Sequence, residues 1–237
     1  MTEFRGTLFD IPATPVVPVA GESQGYPVRR IFCVGRNYAE HAAEMGYAVD
    51  REKPFYFTKA ATHAVLSGAT VPYPPGTDNF HYEVELVVAI GKPVFRAGPD
   101  AAADAVYGYA CGLDMTRRDL QLSERAKQRP WDLGKDVEQS AVLGMITKAA
   151  AMEPIGPQTI SLTLDGETRQ KALLSGMVWT VPEIIAHLSG FYHLGPGDLV
   201  FTGTPAGVGP VVVGSRIEGR IDGLEPVRLA ITAADAG

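Results

Sequence analysis

Cysteine is scarce in this chain. Its 237 residues hold only Cys33 and Cys111, far apart and each inside an apolar run. Two such thiols make neither a disulfide framework nor a zinc cluster, and they read as buried, reduced side chains of a cytoplasmic protein. Basic runs are missing too. The net charge is −6 with no clustered Lys or Arg, which argues against a nucleic-acid partner. No apolar stretch approaches the ~20 residues that cross a bilayer, so no membrane partner is expected. The opening residues Met1-Thr2-Glu3-Phe4-Arg5-Gly6 have no apolar core, so no signal peptide is expected. There is no internal repeat and no low-complexity tract. Apolar residues, by contrast, are plentiful. At 46% hydrophobic and 20% charged the chain can build a sizeable core and is not disordered. The expected organisation is one large domain, residues 29–237, behind a small segment, 1–28. In that segment Pro12, Pro15, Pro18 and Pro27 break any long helix and leave short strands and turns packed on the main body.

The most informative stretch is His81-Tyr82-Glu83-Val84-Glu85-Leu86-Val87-Val88-Ala89-Ile90-Gly91. Its β-branched content and the Gly91-Lys92-Pro93 breaker predict one strand. Period 2 then puts His81, Glu83, Glu85, Val87 and Ala89 on one face. Side chains at i and i+2 stand roughly 7 Å apart, close enough to share one ion. Two bare carboxylates there repel by a few kcal/mol at an effective dielectric of about 20, and a divalent cation removes that cost. Ligation by oxygen alone favours Mg²⁺, Mn²⁺ or Ca²⁺ over zinc. A solvated edge strand showing its Glu to water is the competing reading. The run Tyr107 to Thr116 predicts a second buried strand that delivers a third carboxylate, Asp114, just before a helix over 116–127 with Thr116 and Asp119 in cap-like spacing. On that helix Arg118 and Gln121 are i and i+3 and face one way, while Arg117, Arg125, Lys127 and Arg129 fit an ordinary polar face.

Arg30 to Gly35 reads as a short apolar strand, and Asn37, with Glu40 three residues on, as the cap of a short helix. Inside that helix His41 and Glu44 are i and i+3, so a carboxylate can bond the imidazole and fix its tautomer. An unrelated surface pair is the alternative. Pro54 to Lys59 is a strand, 72–79 a loop and 101–106 a short helix. Asp165-Gly166 between two apolar-alternating runs is a strong hairpin signal. Thr180-Val181-Pro182-Glu183 opens a helix with a capping box, and His187 on it is structural. A strand over 198–202 feeds the loop Gly203-Thr204-Pro205-Ala206-Gly207-Val208-Gly209. That loop lacks the Lys and the following helix of a phosphate-binding loop. Residues 211–232 alternate as two final strands. Strands outweigh short helices throughout, which predicts an α+β, mainly β fold.

Several blocks in this order resemble the fumarylacetoacetate hydrolase family: Gly35-Arg36-Asn37-Tyr38 with His41 and Glu44; His81 to Leu86; Asp114-Met115-Thr116 with Arg118-Asp119; Lys135; and Thr202 to Pro210. Together they span most of the chain. The resemblance implies a mixed β-sandwich roll, a homodimer and a metal-dependent C–C hydrolase of acylpyruvates. It implies Mg²⁺ or Mn²⁺ on Glu83, Glu85 and Asp114, and a water-activating dyad of His41 and Glu44. Lys135 would steady an enolate, while Arg118, Gln121, Gly203 and Thr204 would serve on the substrate side. Arg36 is the first candidate for a distal substrate carboxylate. The run Cys33 to Gly46 and Asp78-Asn79-Phe80-His81 look closest to the branch acting on fumarylpyruvate. Oxaloacetate decarboxylation or general acylpyruvase action is the alternative within the family. A catalytically inactive binding protein on the same fold is the alternative outside catalysis. Family members usually carry Lys-Pro where this chain has Lys59-Ala60, which leaves Lys59 open between a substrate-side role and a snorkelling surface lysine.

Overall fold

The computed structural model describes residues 8–10, 13–44 and 53–235, with no side-chain description for Ala42 and Ala43. Met45 and Gly46, the end of the run that resembles the fumarylpyruvate branch, lie outside the described residues.

A mixed sheet runs through the centre. Its strands are Arg30–Gly35 (β1), Phe55–Lys59 (β2), Ala64–Leu66 (β3), Val84–Ile90 (β4), Val106–Asp114 (β5), Ala141–Leu143 (β6) and Asp198–Phe201 (β7). They lie in the order β2-β1-β7-β4-β5-β6-β3, and Thr147–Lys148 pairs with β5 off this path. The pairs β7–β1 and β6–β3 are parallel and the others antiparallel. Apolar residues on both faces explain why this sheet is central: every residue of β4 is buried. The solvated edge strand is therefore excluded, because β4 lies between β7 and β5.

A second sheet has five strands, in the order Glu167–Leu173, Thr159–Leu164, Arg216–Ile221, Val227–Thr232, Ala69–Pro72. Its Ile160, Leu162, Ile217, Val227 and Leu229 share one apolar cluster with Leu86, Val88, Ile90, Cys111 and Leu113 of the central sheet. This is the sandwich core that period-2 alternation in 211–232 requires. The hairpin turns at Asp165 (φ 53°) and Gly166 (φ 87°), two successive left-handed residues as a two-residue turn of this hand demands.

On the other face, Val87, Ala89, Ala110, Leu199 and Phe201 pack with Val17, Val19, Tyr26 and Val28. Residues 16–28 thus lie on the body, with two short paired strands, Val16–Val17 and Tyr26–Pro27. Tyr26 Oη sits 2.8 Å from the Ile90 carbonyl and accepts the Gly197 N–H at 2.8 Å.

Three local expectations fail for one reason, that a distant partner outweighs the local one. The strand expected over 81–91 breaks at Glu83. Phe80–Tyr82 leaves to form a small sheet with Thr116–Arg117 and Gly209–Pro210, while the Val84 N–H bonds the Gln170 side chain at 3.1 Å. Asn37 does not cap the first helix, Ala39–Glu44 (α1). Its amide instead donates to the carbonyls of Thr202 (2.8 Å) and Trp179 (3.0 Å) and accepts the Trp179 N–H (2.7 Å). Thr116 does not cap the helix Arg118–Ala126 either, because its hydroxyl bonds the Asp114 carbonyl and Lys135. The capping box at Thr180 and Glu183 does form, and opens the helix Val181–Ser189.

Gly112 pairs in register with Glu85 on β4. A Cβ there would lie 2.5 Å from Val87 Cγ2 and 2.9 Å from Phe201 Cε1. Gly112→Ala should therefore cost about 1–3 kcal/mol of unfolding free energy in urea titration, the usual toll of overpacking. A neutral substitution would contradict this packing.

Candidate active site

The floor of the site is laid by β4 and β5. Glu83 at the strand break, Glu85 on β4 and Asp114 at the end of β5 each offer an oxygen within 4.8 Å of the others. All three are at most 4% exposed. Backbone pairing fixes this convergence: the Asp114 N–H donates to the Glu83 carbonyl at 2.9 Å. Three buried charges of one sign demand compensation. Lys135, at the end of the short helix Asp132–Lys135, supplies most of it. Its ammonium donates to Glu83 Oε2 (2.7 Å), Asp114 Oδ2 (2.7 Å) and Thr116 Oγ1 (2.8 Å), which uses all three hydrogens. Arg118 pairs with Glu83 and with Gln121.

Lys59 settles the question its sequence left open. It is no surface lysine: it is 2% exposed, and its ammonium meets the carbonyls of Met115 (3.1 Å) and Lys135 and the Ser140 hydroxyl (2.7 Å). It also lies 2.9 Å from Asp114 Oδ1, yet off the angle of a hydrogen bond, so that oxygen stays a buried acceptor without a donor. Loss of the Lys-Pro pattern at Ala60 does not free this side chain. The Ala60 N–H is held by Asp136 Oδ1 at 2.7 Å.

The charges are unevenly matched. Burial alone would raise the Glu83 pKa, but Lys135 and Arg118 outweigh it and hold the carboxyl below the usual range. Glu85 goes the other way. Burial, then Asp114 and Glu83, push it well above the usual range. Among the described residues no lysine or arginine pairs directly with it, and its hydrogen bond comes from the Gly203 N–H at 2.7 Å. Gly203 must be glycine to make it: φ is +97°, and a Cβ would lie 2.7 Å from that of Asn37. One carboxylate without a cation and one orphaned carboxylate oxygen, in an all-oxygen donor set, fit a hard divalent ion such as Mg²⁺ or Mn²⁺. His81 does not join this set. Burial and Arg118 lower its pKa to about 4, and its ring bonds Asn79 Oδ1 at 2.7 Å.

The His41–Glu44 pair forms, with Nδ1 3.1 Å from Glu44 Oε2. A carboxylate can only accept, so Nδ1 carries the proton and the Nε2 lone pair is left free to act as a base. His41 lines the same cavity as Glu83, Glu85 and Lys135. Glu44 also accepts the Gly207 N–H at 3.2 Å, which ties α1 to the glycine-rich loop. In that loop Gln170 Nε2 donates to Thr204 Oγ1 (2.9 Å) and to the Pro205 carbonyl (2.8 Å). The Thr204 hydroxyl therefore keeps its own hydrogen to offer to the cavity it lines.

Of the expected site residues, Arg36, His41, Glu83, Glu85, Arg118, Gln121, Lys135 and Thr204 line this one cavity, while Asp114, Gly203 and Glu44 bond to residues that do. Three contributors carry no sequence assignment, Phe57 and Trp131 in the wall and Gln170 behind Thr204, and Arg125, read from the sequence as part of an ordinary polar face, also lines the wall. Arg125 is not part of a plain polar face. It follows Arg118 at i+7 and Gln121 at i+4, a helical spacing that puts all three on one face.

The fold has close counterparts among known proteins. Residues 30–232 match the family described as Fumarylacetoacetate (FAA) hydrolase C-terminal. The chain belongs to the fumarylacetoacetate hydrolase family. It is 51% identical over 193 residues to a fumarylpyruvate hydrolase of Ralstonia sp, covering 81% of this chain and 100% of that one. It is 41% identical over 197 residues to the mitochondrial oxaloacetate tautomerase FAHD1 of Homo sapiens, covering 83% and 88%. The crystal structure of fumarylpyruvate hydrolase from Pseudomonas aeruginosa in complex with Mn²⁺ and pyruvate superposes with a TM-score of 0.92 at 46% identity, covering 96% of this chain and 100% of that one.

Lys59→Met should cost about 3–5 kcal/mol of stability in denaturant unfolding, because it leaves a buried carboxylate under-compensated. A loss below about 1 kcal/mol would show that Lys135 alone neutralises Asp114.

Proposed function

We propose that the chain is a metal-dependent hydrolase that cleaves the C–C bond of an acylpyruvate, converting fumarylpyruvate and water to fumarate and pyruvate. The observation that carries this reading is the position of a base, His41, beside a buried carboxylate triad that is short of one cation. Glu83, Glu85 and Asp114 would hold Mg²⁺ or Mn²⁺. The chemistry such an ion supplies when bound is Lewis-acid polarisation of the substrate's dioxo oxygens.

The chain's own groups do the rest. His41 Nε2 takes a proton from water, and Glu44 holds the ring in the tautomer that permits it. The water oxygen bonds to the distal ketone carbon. The C–C bond then breaks, with its electron pair passing to the pyruvate fragment as the enolate, which is later protonated. Lys135, its hydrogens committed to Glu83, Asp114 and Thr116, steadies that developing charge through space. Thr204, Gln121 and Arg118 position oxygen atoms of the substrate, and Gly203 fixes Glu85.

Residues 29–237 contain every one of these groups and form the catalytic domain, with 1–28 as its small N-terminal segment. We further propose a homodimer in the cytoplasm, a setting that suits two buried thiols, Cys33 and Cys111. The reaction belongs to the breakdown of aromatic compounds, since an unsaturated dioxo diacid is what an opened ring leaves.

Chelation should abolish pyruvate release from fumarylpyruvate, and Mn²⁺ or Mg²⁺ should restore it. Full turnover by a sample shown to be metal-free would sink the reading. His41→Ala should lower kcat for hydrolysis by roughly 10²–10⁴-fold with a smaller change in KM. In the wild type fumarylpyruvate should exceed oxaloacetate in kcat/KM by at least about tenfold. Enolate chemistry on oxaloacetate needs no attacking water, so it should survive His41→Ala better. Wild-type preference for oxaloacetate would transfer the assignment to that substrate.

A further inference from the structure

Gln170 is buried where its neighbours are not. It lies on Glu167–Leu173, the outermost strand of the second sheet. Arg169 and Lys171 on either side are exposed, yet Gln170 is 0% exposed. Two features put it inside. The register with Thr159–Leu164 shifts in mid-strand: Leu162 faces Gln170 but Thr163 faces Thr168, so Arg169 is an extra residue. Such a bulge bends its strand and re-aims the side chains beside it. The glycine-rich loop then covers the bulge, with Gly207 packed so closely on the Arg169 carbonyl that a Cβ would overlap its oxygen.

The partners of Gln170 fix which way its amide faces. The Val84 N–H can only donate, so it meets Oε1, at 3.1 Å. The Pro205 carbonyl can only accept, so it meets Nε2, at 2.8 Å. The second Nε2 hydrogen goes to Thr204 Oγ1 at 2.9 Å. A hydroxyl that accepts there directs its own hydrogen elsewhere, and Thr204 lines the cavity with His41, Glu83 and Glu85. All three partners belong to segments that build the site. Val84 stands between Glu83 and Glu85, and Thr204 and Pro205 follow Gly203, whose N–H holds Glu85.

We propose that Gln170 is a positioning residue of the active site. It makes the Thr204 hydroxyl a donor toward the cavity, so that this wall receives an acceptor oxygen of a keto acid: carboxylate, ketone or enolate. The role rests on the hydrolase reading for its substrate and adds to it the group that sets the polarity of one wall. Gln170 itself acts only through Thr204. Its bond to Val84 ties the same wall to the strand break that carries the carboxylates.

The test is a double-mutant cycle between Gln170 and Thr204. It is read in kcat/KM for fumarylpyruvate and, without turnover, in calorimetric titration of the Mn²⁺-loaded protein with pyruvate. Gln170→Glu keeps the shape and the Val84 bond. Even when protonated, its single acidic hydrogen is claimed by the Pro205 carbonyl, so the Thr204 hydrogen turns from the cavity to the new oxygen. Gln170→Met, which cannot bond Thr204 at all, runs through the same cycle, so the outcome does not hang on one variant folding. Any loss that Met causes through Val84 is common to every background and cancels. With each variant the loss should be at least about fivefold greater in the wild-type and Thr204→Ser backgrounds than in Thr204→Val, the worth of one hydrogen bond. Valine matches the shape of threonine and serine keeps its hydroxyl, so this order separates a polar role from a merely structural one. Equal losses in all three backgrounds would overturn the role, as would a Thr204→Val variant that binds pyruvate like the wild type. A wild type that hydrolyses no acylpyruvate defeats the hydrolase reading, and the pyruvate titration still decides the role of Gln170. A Mn²⁺-loaded wild type that binds no pyruvate overturns both.

Discussion

The cost of burying three carboxylates side by side governs this molecule. Glu83, Glu85 and Asp114 are all but sealed from water. Isolated ions in such a place would neutralise themselves by taking up protons. The chain answers with cations brought from three separate segments: Lys59 from the end of β2, Lys135 from a four-residue helix, and Arg118 from the start of the helix that follows β5. Each pairing fixes the element that carries it. Lys59 also gathers the carbonyls of Met115 and Lys135, so the floor of the site is a hub of the tertiary structure as well.

The hub is deliberately incomplete. Compensation goes to Glu83 and Asp114, while Glu85 is left with a backbone N–H and the repulsion of its neighbours. A protein optimised for stability alone would have placed a lysine there or removed the carboxylate. What remains is a site whose missing partner is a small, hard cation, and next to it stands His41, which lines the same cavity. The glycine-rich loop joins the two halves, because Gly203 holds Glu85 and Gly207 holds Glu44. Motifs that lie far apart in the chain thus act on one volume.

Features with short-range causes were legible in the sequence. Asp165-Gly166 imposes its turn, Thr180 and Glu183 their box, and period 2 places Glu85 with Val87 and Ala89 on the face opposite Leu86, Val88 and Ile90. The His41–Glu44 contact follows from helical spacing alone. What was illegible depends on partners that spacing cannot reveal. Lys59 looks like any strand-end lysine until Asp114 arrives beside it, and Asn37 looks like a cap until Thr202 and Trp179 claim its amide. Thr116 is drawn off its helix by Lys135 in the same way. Arg125 is the instructive miss. Its i+7 relation to Arg118 was visible, but nothing local separates a cavity-lining arginine from a solvated one.

The most direct test of this account is Glu85→Gln, which removes the one uncompensated charge and keeps the shape. Two quantities would be measured on the same protein: Mn²⁺ affinity by calorimetry, and stability of the metal-free form in urea. The account predicts that they move in opposite directions. Affinity should fall at least about tenfold, because a charged ligand is lost, while the metal-free protein becomes more stable, because Glu83 and Asp114 no longer face a third carboxylate. Unchanged Mn²⁺ affinity, or a metal-free protein made less stable, would contradict it.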